Sequence, residues 1–176
     1  MSQQVTSKSS AAALFAALVL TAPAFAADFQ ASLGPMPLDD ETKAVIAGRG
    51  EVTATSDGKN LTVKGTFHGL PSDATEAHIL LSPVAGVPGK PILELQVSKS
   101  TSGIIEGEFK LTRAQATALR TGKLYIQINS EKAPDRYPWG PKGTLWGWLF
   151  PAHETVGQDV PQSEHWFIPQ IDTPSR

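Results

Sequence analysis

Between Leu61 and Leu81 the sequence LTVKGTFHGLPSDATEAHILL alternates apolar and polar side chains on either side of a proline-containing turn. Alternation with a period of two places successive side chains on opposite faces of an extended strand, so it calls for a core on one side and solvent on the other. Leu61, Val63, Gly65 and Phe67 share one face, and Thr62, Lys64, Thr66 and His68 share the other. Gly69 to Ser72 turns the chain, after which Ala77, Ile79 and Leu81 point inward and His78 and Leu80 outward. This predicts the central hairpin of a β-sandwich, with an outward histidine on each strand.

The same signals recur on both sides of it. Short alternating runs begin at Phe29, Gly50, Pro91, Ser102, Lys123 and Thr144, separated by Gly/Pro-rich loops and by the hairpin turn Ser56-Asp57-Gly58-Lys59-Asn60. Tyr125, Gln127 and Asn129 face outward on their strand, opposite Leu124, Ile126 and Ile128. One helix interrupts the pattern over 113–121, opened by a Thr112/Gln115 capping box and closed by Gly122. The expected fold is an all-β sandwich over 27–150 with one short crossover helix.

No cysteine occurs in the 176 residues. Disulfides, thiol catalysis and cysteine-ligated metals are therefore excluded, and the core alone must hold the fold. The formal charge of -2, with no basic stretch, gives no electrostatic case for nucleic acid or an anionic membrane, both of which need clustered positive charge.

Residues 1–26 read as a cleaved signal peptide. Lys8 supplies a weak positive charge, Ala11 to Leu20 a short apolar run, and Ala24-Phe25-Ala26 a cleavage site. The run falls short of the ~20 residues needed to span a bilayer. The Ala-rich leader has a bacterial look, so the expectation is cleavage after Ala26 and a periplasmic or secreted protein with no membrane span.

Val63-Lys64-Gly65-Thr66-Phe67-His68-Gly69-Leu70, Ala77-His78-Ile79, Leu111-Thr112, the strand Leu124 to Asn129 and Gly143-Thr144-Leu145-Trp146-Gly147 together resemble the CHRD (chordin) domain. The resemblance implies a Greek-key sandwich of immunoglobulin or superoxide-dismutase-like architecture, found in exported microbial proteins and in an extracellular growth-factor antagonist, with no catalytic role implied. Family members commonly carry His-x-His in the fourth strand and a histidine ending the later Tyr-x-x-Ile strand; Leu80 and Asn129 stand at those places here.

Candidate chemistry is sparse. His68 and His78 could hold copper or zinc if the third and fourth strands paired in suitable register, with Met36 available as a soft ligand. No histidine spacing matches a metal motif, and no G-x-S-x-G elbow accompanies the serines. Glu106 and Glu108 alternate with Lys110 as a solvated strand face does. Asp39-Asp40-Glu41 lacks the ligand spacing of a calcium loop. No cofactor is implied. The readings are a non-catalytic binding or accessory module, a small metal-handling protein using His78 and His68, or an enzyme with an unrecognised site.

All four tryptophans lie in the last quarter of the chain. Trp146, Trp148 and Phe150 share one strand face while Leu145, Gly147 and Leu149 share the other, so both faces must be covered. One cover is the tail 151–176, packed through Trp166-Phe167-Ile168; the other is a protein partner or ligand on Tyr137, Trp139, Trp146 and Trp148.

Overall fold

A computed structural model describes residues 26–136 and 139–152 of the protein. The leader 1–25, Tyr137, and the tail with its Trp166-Phe167-Ile168 cluster lie outside the described residues. The strands follow the alternation: β1 (Ala27–Pro35), β2 (Arg49–Ser56), β3 (Asn60–His68), β4 (Ala74–Leu81), β5 (Lys90–Val97), β6 (Gly103–Lys110), β7 (Leu124–Ser130), β8 (Gly143–Trp148) and the two-residue β9 (Phe150–Pro151). The helix α1 (Arg113–Arg120) carries the full capping box: Gln115 N–H donates to Thr112 Oγ1, and Thr112 N–H donates to Gln115 Oε1. Gly122, at φ 64, follows the helix as its expected terminator.

The sheet is not a sandwich. Eight antiparallel strands close into a barrel in the order β1-β2-β3-β6-β5-β4-β7-β8 and back to β1, and β9 pairs β1 as a short addition. Two strands make the closure. β1 pairs β2 through residues 27–33, then β8 through Gly34 and Pro35. β5 pairs β4 along most of its length, and Gln96 and Val97 pair β6. Two facing sheets are thus stitched along both sides, which satisfies backbone groups that a sandwich leaves open at its edges.

Two further expectations are corrected by the register. β3 and β4 do not form a hairpin: β3 lies between β2 and β6, β4 between β5 and β7, and the short connection 69–73 crosses from one wall to the other. The last strand does not run through to Phe150. It ends at Trp148, Leu149 turns inward, and Phe150 pairs Gln30 and lies against Gly122 after the helix, away from Trp146 and Trp148.

Leu61, Val63, Phe67, Ala77, Ile79, Leu95, Ile105, Leu124, Ile126, Ile128 and Leu145 fill the barrel, each nearly inaccessible to solvent. At roughly 1.5–3 kcal/mol for each large apolar side chain buried, this core is the main stabilising term in a chain without covalent staples. β4 departs from strict alternation at its end. Leu80 is buried although it faces away from the barrel core, and Leu81 is exposed at the rim. Leu80 is buried because this wall carries a second layer on its outer side.

Candidate binding face

That second layer is built on β7 and β8. Tyr125 pairs Trp148 and Gln127 pairs Trp146 across the two strands, so their side chains share the outer face. Tyr125 stacks on Trp148 with ring centroids 4.8 Å apart and planes 24° apart. Trp146 meets Tyr125 edge-on at 6.2 Å, Trp148 at 4.8 Å and Trp139 at 5.8 Å. Offset stacks and edge contacts of this kind are the arrangements that aromatic quadrupoles favour. Tyr125 is fully buried, whereas Trp139, Trp146 and Trp148 are half-buried.

The connection from β1 to β2 closes one flank. Met36 and Ile46 form a small separate core with Val45, Trp139 and Trp146. Met36 N–H donates to the Thr144 carbonyl, which fixes the connection against β8. The acidic run lies in this connection. Asp39 Oδ1 accepts from the Thr42 hydroxyl and from the N–H groups of Thr42 and Glu41, so it caps a turn, and these bonds hold its carboxyl below the usual range. The loop after β4 closes the opposite flank: Gly89 N–H donates to the Tyr125 hydroxyl at 3.0 Å. Burial pushes the Tyr125 phenol above its ordinary value, and this hydrogen bond opposes the shift.

Beside the rings runs a chain of polar groups. Gln127 Nε2 donates to Asn129 Oδ1 at 2.8 Å, and Asn129 Nδ2 reaches Glu76 Oε2 at 3.5 Å. Gln127 and Asn129 are both buried. Gln127 Oε1 and Trp148 Nε1 are buried and have no hydrogen-bond partner among the described residues. Each such atom costs roughly 1–3 kcal/mol relative to its hydrogen-bonded state. The face therefore combines ring surface with one unmatched acceptor and one unmatched donor.

The structure brings Trp139, Trp146 and Trp148 together as the sequence suggests, and it adds Tyr125, Gln127, Asn129, Met36 and Ile46. A signal for the first three of these additions was present. β8 has two apolar faces, and a cover over β8 necessarily extends over the outward residues of the neighbouring strand. The histidines do not converge. His68 is exposed on β3 opposite Arg49, whereas His78 is half-buried on β4 between Glu94 of β5 and Gln127 of β7. Their strands are not neighbours, so the pairing needed for a shared metal is not met. Met36 is enclosed beneath Trp139 and Trp146. Among the described residues no group of three or more His, Asp or Glu is placed to hold a metal ion. Glu106 stands opposite Lys64 on an outer strand face, as a solvated charge pattern does.

A family model described as the CHRD domain matches residues 29–136, from β1 into the loop after β7. The match includes Tyr125, Gln127 and Asn129 and ends before Trp139, Trp146 and Trp148. No curated protein and no solved structure matches the chain.

Proposed function

The chain belongs to the CHRD-domain family, and we propose that it serves as an exported, non-catalytic binding module whose contact surface is the aromatic outer face of β7 and β8. The observation that carries this reading is the Tyr125, Trp139, Trp146 and Trp148 cluster, whose three tryptophans retain accessible surface beside two unmatched polar atoms. Aromatic side chains lose little conformational freedom on binding and offer broad flat contact, so they anchor interfaces and flat ligands alike. A partner donor reaching Gln127 Oε1, or an acceptor reaching Trp148 Nε1, would supply the hydrogen bond that the described residues leave unmade.

The leader sequence and its Ala-Phe-Ala site support action in the periplasm. A non-catalytic role is supported by the dispersal of reactive groups, with His68 and His78 on different walls of the barrel. Site-specific crosslinking from Trp139 in the periplasmic fraction tests the reading. A reproducible adduct is expected, diminished by Trp148→Ala in a chain that still folds. An adduct indifferent to Trp148→Ala, or a chain confined to the cytoplasm, would overturn it.

A further inference from the structure

The end of the barrel where β4, β6 and β8 finish and β3, β5 and β7 begin has a composition unlike the rest of the molecule. It gathers Lys59, Lys90, Lys110, Arg113, Arg120 and Lys123, all exposed. The register places them together: Leu81 pairs both Lys90 and Leu124, Asn60 pairs Lys110, and Leu111 N–H donates to the Lys59 carbonyl. Among the described residues the acidic groups at this end are Asp28 and Asp57, with Glu94 and Glu108 further along their strands. None of the six basic side chains has an ion-pair partner among the described residues. Two ion pairs among the described residues, Lys43 with Asp40 and Lys142 with Asp135, lie at the opposite end. A chain with a formal charge of -2 thus presents a positive end.

From the same end extends the loop 82–89, whose tip is apolar. Val84 is 56% exposed, Val87 41% and Leu81 39%. The loop is held by its own hydrogen bonds. Val87 N–H donates to the Val84 carbonyl across a turn that contains Gly86 at φ +86. The buried Ser82 hydroxyl lies within hydrogen-bonding distance of the Val84 and Val87 carbonyls, and Gly89 is tied to Tyr125. The valines are therefore presented outward with little ordering left to do.

We propose that this end docks on an anionic lipid surface, with Val84 and Val87 entering the interfacial layer and the surrounding lysines and arginines facing the headgroups. The sign of the charge selects an anionic partner, and long basic side chains can reach headgroups while their stems remain in apolar surroundings. The apolar residues sit on a protruding tip, which suits a deformable interface better than a rigid complementary groove. This surface adjoins the aromatic face through the Gly89–Tyr125 hydrogen bond, but it does not depend on the role proposed for that face.

Cosedimentation with vesicles tests the proposal, using the chain without residues 1–26 so that the apolar leader does not itself partition. Vesicles of equal phosphatidylcholine and phosphatidylglycerol should bind the protein, and phosphatidylcholine alone should not. Rising salt should weaken binding, because headgroup attraction decays over about 8 Å at physiological ionic strength. Val84→Asp with Val87→Asp, and separately Lys90→Glu with Lys123→Glu, should each lower the bound fraction by roughly tenfold or more. Lys43→Glu with Lys132→Glu, at the far end, should change it less than about twofold on the same grounds. Absence of binding, equal binding to neutral vesicles, or equal loss in the far-end variant would overturn it. So would binding that survives the valine changes and is displaced by polyglutamate, which would assign the patch to an acidic protein.

Discussion

Tyr125 lies beneath Trp148 as a nearly parallel ring at 4.8 Å, and its hydroxyl is the point at which the 82–89 loop is fastened to the barrel wall. One side chain thus joins the aromatic face to the loop that projects from the barrel end. Tyr125→Phe keeps the stack and removes the bond from Gly89, so about 1 kcal/mol of stability should be lost. Tyr125→Ala should cost more, about 3–5 kcal/mol, because it also opens a cavity under Trp148. Urea unfolding midpoints at unchanged slope separate the two losses.

The same phenol gives the protein an alkaline limit. Its value in the folded chain is raised above 10.0 by burial, so the native state holds its proton more tightly than the unfolded chain does. Stability from this group is complete below pH 10 and is lost as the pH rises through the folded value. Spectrophotometric titration of a Tyr137→Phe chain, in which Tyr125 is the one remaining tyrosine, should give a value above 10.0.

At the acid end the Asp57 turn is the group to follow. Its carboxylate accepts from the N–H groups of Lys59 and Asn60 and from the Asn60 side chain, and these bonds lower its pKa to about 2. Its contribution is present above the ordinary value of 3.8 and is lost as the pH falls through about 2. NMR titration of Asp57 should show this displacement, and Asn60→Ala should move the value back toward 3.8.

Close approach between the β1–β2 connection and β8 makes a sharper prediction at Gly143. A Cβ built there would lie 2.2 Å from Met36 Sδ and 3.0 Å from Gln127 Nε2. Met36 is completely buried, so its sulfur has little room to retreat. Gly143→Ala should destabilise the fold by about 1–3 kcal/mol. Adding Met36→Ala should cost less than the sum of the two changes, a departure from additivity that a double-mutant cycle measures.

Local rules carried much of the fold. The Asp57-Gly58 turn, the Thr112/Gln115 box and the inward faces of β3 and β7 depend on residues within a few positions of one another, and each stands where its pattern placed it. Partner identity is different. Nothing in Gly69-Leu70-Pro71-Ser72 distinguishes a hairpin from a crossing between two walls, because a short turn is compatible with either. Barrel closure was equally hidden, since it depends on β1 and β5 each changing neighbour partway along. The tryptophans announced a covered face, but Gln127 and Asn129 read as solvated residues until the second layer lay over them. The positive end could not be seen in a linear scan, because its charges come from separate turns, strand ends and the helix.

Closure also sets an order of events. Gly34 pairs Trp146 and Pro35 pairs Leu145, so the seam of the barrel joins the first strand to β8. Bringing such distant segments together carries a loop-closure cost that local hairpins do not, and folds dominated by non-local pairing assemble slowly. A nascent chain can form β2–β3 early, yet the seam stays open until Trp146 has emerged. Completion of the cylinder is therefore a checkpoint on the whole domain, and truncation before β8 should leave an open sheet rather than a smaller barrel.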